Sequence, residues 1–222
     1  GAVRTLIEEA KNAVISPDGR YLVYLWFTYN TIKVSEQGLK ILDTMTGETR
    51  LLDNKGYFAC FTPDSKYVVY NKYTGYTDGY NCLYKIPVTG GTPETIDVAR
   101  PTGRIIPFTY EPPQVSPNGQ WILFMYVTYT QGTGRYYHLC VYNMQTKETF
   151  ELFPHSYEDG ISIMAARWSP DGKKIAYQPR IYSPANVGNV YIIDFPSKSM
   201  VKVQPTAVGE EAPTSFAITG NH

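Results

Sequence analysis

The stretch WSPDGKKIAY, residues 168–177, decides the fold, because the chain writes nearly the same phrase three more times. ISPDGRYLVY runs from Ile15, FTPDSKYVVY from Phe61 and VSPNGQWILF from Val115. Taking the first turn residue as a marker, Ser16, Thr62, Ser116 and Ser169 stand 46, 54 and 53 residues apart. A period of about 50 residues built from short strands is that of a four-stranded propeller blade. The turn has a chemical logic. Pro17, Pro63, Pro117 and Pro170 preset φ at the second position, and Asp18, Asp64, Asn118 and Asp171 follow. Gly19, Gly119 and Gly172 then supply a left-handed residue, whereas the second copy carries Ser65 there, at some conformational cost.

After each turn comes an apolar strand ending in an aromatic, Tyr24, Tyr70, Phe124 or Tyr177, eight residues past its marker. In the first copy Leu22 and Tyr24 share one face and Tyr21 and Val23 the other. Both faces are therefore apolar, as a strand sandwiched between adjacent blades requires. A second hairpin recurs later in each unit, as LKILDTMTGETRLLD from Leu39, CLYKIPVTGGTPETID from Cys82, HLCVYNMQTKETFELF from His138 and NVYIIDFPSKSMVKVQ from Asn189. Its alternating strands around a polar turn predict the outer, half-exposed strands of a blade. Each unit thus reads as hairpin, loop, hairpin.

The phrase SPDG-(K/R)-x-(I/L)-x-Y followed by an IxDxxTGE-like hairpin resembles the WD40-like PD40 repeat of the TolB-like propeller family, which also resembles the propellers of tricorn-type and prolyl-oligopeptidase-type peptidases. The resemblance covers the chain from about Asn12 to Gln204. It implies an all-β propeller of four-stranded antiparallel blades and an extracytoplasmic location, periplasmic or secreted. Four units are expected, at about 12–53, 57–98, 108–153 and 163–204, within one propeller domain over 1–222. Strands at 3–8 and 212–219 are expected to belong to a closing or truncated blade. Family propellers commonly have more blades, so the favoured reading is part of a larger propeller. A compact closed disc and closure by association of two chains remain alternatives.

Composition narrows function by exclusion. The 222 residues include 20 Tyr, 9 Phe, 18 Gly and 16 Pro, which suits strands separated by tight turns. Twenty basic and twenty acidic residues cancel, so no electrostatic footprint for nucleic acid or an anionic membrane is present. No apolar run reaches membrane-spanning length, and the opening GAVRTLIEEA lacks the features of a signal peptide. Three cysteines, Cys60, Cys82 and Cys140, form neither a metal pattern nor a disulfide framework, and read as small buried hydrophobes. His138, His155 and His222 lack metal-ligand spacing, and no nucleophile elbow, HExxH or phosphate loop occurs. No catalytic residue, metal or cofactor is expected. The turn carboxylates read as backbone-bonding residues.

The segments between the hairpins vary most and hold many tyrosines: LWFTYNTIKVSEQG, NKYTGYTDGYN, MYVTYTQGTGRYY and QPRIYSPANVGN. Tyr29, Tyr129 and Tyr182 each fall thirteen residues past a marker, and in the second copy Tyr73 and Tyr76 flank the equivalent Gly75. Equivalent positions share one end of a propeller, and loops on a rigid scaffold are where binding resides. Tyr offers large amphipathic contact area at low entropic cost. Arg135 beside Tyr136, and Arg180 near Tyr182, could pair with an acidic group of a partner. The competing reading is that these rings pack between blades and that the arginines are solvated or stacked on Tyr.

Three functions follow as alternatives. The first is a non-catalytic protein-binding or scaffolding propeller using this Tyr-rich face. The second, implied by the family resemblance, is a gating or substrate-selecting propeller of a larger peptidase or hydrolase. The third is a propeller that binds or acts on carbohydrate.

Overall fold

The computed structural model describes residues 7, 10–30, 33–72, 83–98, 104–106, 112–130, 134–156, 161–181 and 190–203. These residues are all strand, turn or irregular, with no helix among them. They divide into two compact units, Gly1–Asp97 and Val98–His222. The expected end strands 3–8 and 212–219 lie, apart from Ile7, outside the described residues.

In the first unit, β1 (Ala10–Ile15), β2 (Tyr21–Asn30), β3 (Lys33–Asp43) and β4 (Thr49–Asp53) form one antiparallel sheet in sequence order. A second sheet follows, of β5 (Gly56–Phe61), β6 (Tyr67–Lys72), β7 (Leu83–Pro87) and β8 (Glu94–Ile96). In the second unit, β10 (Gln114–Val115), β11 (Trp121–Thr130), β12 (Gly134–Asn143) and β13 (Thr149–Ser156) repeat the meander. There β9 (Arg104–Ile106) pairs with the far half of β11, so β9 and β10 share the place that one first strand fills elsewhere. The last sheet holds β14 (Ile161–Trp168), β15 (Lys174–Ile181), β16 (Val190–Asp194) and β17 (Ser199–Val203). Three of the repeats are four-stranded antiparallel blades, and the third repeat follows the same meander with its first strand in two pieces.

The repeated turn is held by a network that the spacing alone did not show. The buried marker hydroxyl accepts the backbone N–H five residues on: Tyr21 to Ser16 at 2.8 Å, Tyr67 to Thr62 at 3.1 Å, Trp121 to Ser116 at 2.9 Å and Lys174 to Ser169 at 2.9 Å. The same hydroxyl donates to Asp18, Asp64, Asn118 or Asp171 at 2.5–2.7 Å. Each Asp or Asn then accepts the N–H of Arg20, Lys66, Gln120 or Lys173. The fourth residue of each turn is left-handed, with φ of 75° at Gly19, 73° at Gly119, 68° at Gly172 and 59° at Ser65.

Ser65 gains something in exchange for its strained φ. Its hydroxyl accepts the Asp18 N–H of the neighbouring turn at 3.1 Å, a bond glycine could not make.

Burial follows the repeat. In the first unit Val23, Leu39 and Ile41 of one blade pack with Phe61, Val68, Tyr70 and Ile86 of the next. In the second, Leu123, Leu139 and Val141 pack with Trp168, Ile175, Tyr177 and Ile193. The terminal aromatics Tyr24, Tyr70, Phe124 and Tyr177 are all buried, as the doubly apolar strands predict. Removing their apolar surface from water is the main stabilising term.

One expectation is corrected. The segments between the hairpins were expected to be loops, yet β11 continues to Thr130 in unbroken register with β12, and β2 to Asn30 paired with β3 through one bulge. Their Thr, Tyr, Trp and Val content favours extended pairing over irregular chain.

Candidate functional site

The paired strands β2–β3 and β11–β12 run past the blade core, β2 to Asn30 and β3 from Lys33, β11 to Thr130 and β12 from Gly134. Tyr29 is the penultimate residue of β2, with Val34 as its Cα partner across a bulge. Tyr129 occupies the same place in β11, and its partners are Arg135 on β12 and Arg104 on β9. Tyr136 stands opposite Thr128 on one side and Ser156 on the other. Arg180 lies near the end of β15, opposite Ser162. Tyr73, Tyr76 and Tyr182 lie outside the described residues.

The structure therefore brings Tyr129 and Arg135 into one cross-strand pair and places Arg180 on a different blade. Arg104 was missed in the sequence, because a strand of three residues eight positions before Pro112 carries no periodic signal.

A second grouping lies on the other face of the third blade. The Tyr126 and His138 rings stack with centroids 4.3 Å apart and planes 9° from parallel. His138 sits mid-strand in β12 and not at a strand start, and its Nδ1 meets Glu151 Oε1. A bulge between Leu139 and Cys140 sets Glu151 opposite Cys140, so this contact was not countable from strand alternation.

Cys140 is buried, and burial, then the Glu151 charge, pushes its thiol pKa upward. Tyr126, also buried, is raised by desolvation and by Cys140 and Glu151. A carboxylate–imidazole pair orients a catalytic base when a reactive nucleophile stands beside it. Here the neighbouring thiol is protonated and enclosed, which suits packing and not attack. Cys60 is half-buried and, like Cys140, not in a disulfide, while Cys82 lies outside the described residues. Among the described residues, no three or more His, Cys, Asp or Glu are gathered where a metal ion could be held.

In the first unit Asp53 ends β4 as a buried carboxylate. It accepts from Tyr70 Oη at 2.8 Å, from the Lys55 N–H at 2.8 Å and from Lys72 Nζ at 2.9 Å. Burial raises its pKa, and the Lys72, Lys55 and Tyr70 hydrogen bonds outweigh that, leaving it below the ordinary value. Three partners on the following blade and its connection make this a latch between blades.

No family model and no curated protein matches the sequence. Solved structures do match. TolB from Acinetobacter baumannii superposes on 88% of this chain with a TM-score of 0.60 at 18% identity. The fold is a TolB-like β-propeller. The propeller also matches an oligogalacturonate lyase from Vibrio parahaemolyticus over 88% of the chain, with a TM-score of 0.60 and 18% identity. A third match is the β-propeller domain of the trilobed protease from Pyrococcus furiosus, which has an open velcro topology, at 89% coverage, TM-score 0.60 and 12% identity. The chain spans 43%, 54% and 57% of these three structures' own lengths. Such a fold serves TolB and enzymes alike, so activity has to be argued from the site.

Proposed function

We propose that this chain is a non-catalytic binding or scaffolding propeller, extracytoplasmic like the TolB family it resembles, that docks a protein segment on its Tyr-rich hairpin tips. The observation that carries the proposal is the placement of Tyr29 and Tyr129, each penultimate on a strand paired with the next, Tyr129 in an unbroken ladder and Tyr29 just past a bulge. Strand ends position side chains more firmly than free loops do, which lowers the ordering cost of binding. The Cys140 environment also supports a non-catalytic reading, since burial beside the carboxylate–imidazole pair pushes its thiol pKa upward.

A second reading, carbohydrate binding, is favoured by the likeness to the oligogalacturonate lyase fold, and tyrosine rings suit sugar stacking equally well. The third, a gating propeller of a larger peptidase, draws on the protease match.

Panning a displayed peptide library on the purified chain, in parallel with a glycan array, tests the first two. Selected peptides whose binding is lost in the Tyr29→Ala/Tyr129→Ala double variant support protein docking. Glycan binding lost in the same variant supports the second reading. Peptides that bind the double variant as well as the parent overturn docking through the tips.

A further inference from the structure

The third turn carries a chemical step that the other turns lack. Asn118–Gly119 is the single Asn–Gly pair in the sequence, and it stands where the other copies place Asp18, Asp64 and Asp171. Glycine has no side chain to crowd its nitrogen as that nitrogen closes on the preceding amide, which makes this pair the most labile setting for a thermolabile residue. The reaction balances with water alone. The Gly119 nitrogen attacks the Asn118 side-chain carbonyl carbon and forms a C–N bond, and the amide group leaves with the nitrogen's proton as ammonia. Water then opens the five-membered imide to aspartate or isoaspartate.

Burial does not protect this amide. Asn118 is exposed, and apart from its chain neighbours nothing lies within 4 Å of where a Gly119 Cβ would stand. Hydrogen bonds hold it instead. Asn118 Oδ1 accepts the Ser116 hydroxyl at 2.7 Å and the Gln120 N–H at 3.1 Å, while Nδ2 donates to Gln120 Oε1 at 3.3 Å. The attacking group is held as well, because the Gly119 N–H donates to the Ser116 carbonyl at 2.8 Å. Ser116 is buried and its hydroxyl accepts the Trp121 N–H at 2.9 Å, so the residue that grips both ends is anchored to the start of β11. Ring closure swings the amide carbon onto the Gly119 nitrogen and strips that nitrogen of its proton. The closed turn opposes both movements.

We infer that Asn118 is a modification site gated by its own turn: the amide persists while the turn is closed, and each opening exposes it to irreversible conversion to aspartate. The product fits the fold. Asp18, Asp64 and Asp171 already occupy this place, with the marker hydroxyl at 2.5–2.6 Å and the N–H two residues on at 3.0–3.2 Å. A carboxylate accepts such bonds more strongly than an amide, so a chain carrying L-aspartate at 118 closes the turn again. Isoaspartate puts an extra methylene into the backbone and displaces the Gly119 N–H from the Ser116 carbonyl, so that product does not. Aspartate at 118 therefore records the time the third turn has spent open. This stands apart from the docking role proposed above.

Peptide mapping by mass spectrometry, with aspartate and isoaspartate separated by chromatography, reads conversion at 118 during incubation at pH 8 in buffer and in guanidinium chloride. Conversion is expected to run about a hundredfold slower in buffer, the scale of a few net hydrogen bonds. Gly119→Ala should suppress it in guanidinium, because the added Cβ crowds ring closure. Ser116→Ala frees Oδ1 and should raise the rate in buffer about tenfold. Gln120→Ala removes only the exposed acceptor of Nδ2 and should raise it roughly threefold, which keeps the test in hand if Ser116→Ala does not fold. Asn118→Asp should fold, with a urea midpoint no lower than the parent's.

Equal rates in buffer and in guanidinium overturn the gating, as do folded Ser116→Ala and Gln120→Ala chains that convert no faster than the parent. Absence of conversion in guanidinium removes Asn118 as a modification site. An Asn118→Asp chain that fails to fold, or that unfolds at a lower midpoint, overturns the account of the product.

Discussion

Asp53 and Lys72 meet at 2.9 Å across two neighbouring blades, with the carboxylate almost fully enclosed and the ammonium mostly so. Lys72 also lies 5.2 Å from the centre of the Tyr84 ring. Removing either partner leaves the other's charge in a dry contact. Asp53→Asn and Lys72→Met are each expected to cost about 3 kcal/mol in urea unfolding, at the low end for broken buried pairs because Lys72 keeps some exposure. Tyr70→Phe, which removes one donor to the carboxylate, should cost about 1–2 kcal/mol. The double variant Asp53→Asn/Lys72→Met should cost less than the sum of the singles, because no orphaned charge remains.

The same carboxylate sets an acid limit. Its folded pKa lies below the unfolded value, so the stability it contributes is complete above the unfolded pKa of about 4 and disappears as pH falls through the folded one. Urea midpoints measured between pH 6 and pH 2.5 should fall steeply below about pH 4 in the parent. Asp53→Asn should flatten that fall, and an unchanged slope would remove Asp53 from the account.

The turn network makes a residue-level prediction. Asp18, Asp64 and Asp171 are held below the ordinary carboxylate range, first by the marker hydroxyl donating to each. In carbon-detected NMR titration their midpoints should lie below those of solvent-exposed aspartates, and Ser16→Ala should raise that of Asp18 alone. The third turn has Asn118 in this place and nothing to titrate, so Ser116→Ala should destabilise without altering the acid profile. Ser116 is buried, and losing its two hydrogen bonds should cost about 1–2 kcal/mol.

Glycine and serine at the fourth turn position should not interchange freely. Gly119→Ser puts a side chain on a left-handed backbone with no neighbour within 4 Å of its Cβ, so it should cost about 1 kcal/mol. Ser65→Gly relieves a comparable strain but leaves the Asp18 N–H without its acceptor, so the net change should stay within about 1 kcal/mol of zero. Thermal unfolding of both variants reads the difference.

Cys140 should behave as an inert thiol. Burial holds it protonated, so iodoacetamide at pH 8 should leave it unmodified in the native chain and alkylate it only in denaturant. Rapid native alkylation at Cys140, read by mass spectrometry, would contradict the enclosure described for the third blade.

The blades were legible because their turns repeat with a fixed chemistry. Pro, Asp or Asn, and a left-handed residue appear in fixed order, and the aromatic eight residues past each marker is buried in all four copies. The tips were less legible. Tyr29 and Tyr129 were found by counting, but their segments look like loops until the pairing of Thr28 with Glu36 and of Thr128 with Tyr136 is known. Arg104 comes from a strand too short to show a period. The meeting of His138 with Glu151 depends on a bulge, and a one-residue slip reverses every face assignment beyond it. Local chemistry was readable, while contacts set by register between distant strands were not.

The bond from the Asp18 N–H to Ser65 has a consequence for assembly order. Four units with nearly interchangeable turns invite mispairing, in which one blade docks beside the wrong neighbour or beside the same blade of another chain. The second copy alone replaces the turn glycine with a hydroxyl that fits the turn before it. A strained residue in the second copy alone can thus act as an address label, marking which blade belongs next to the first.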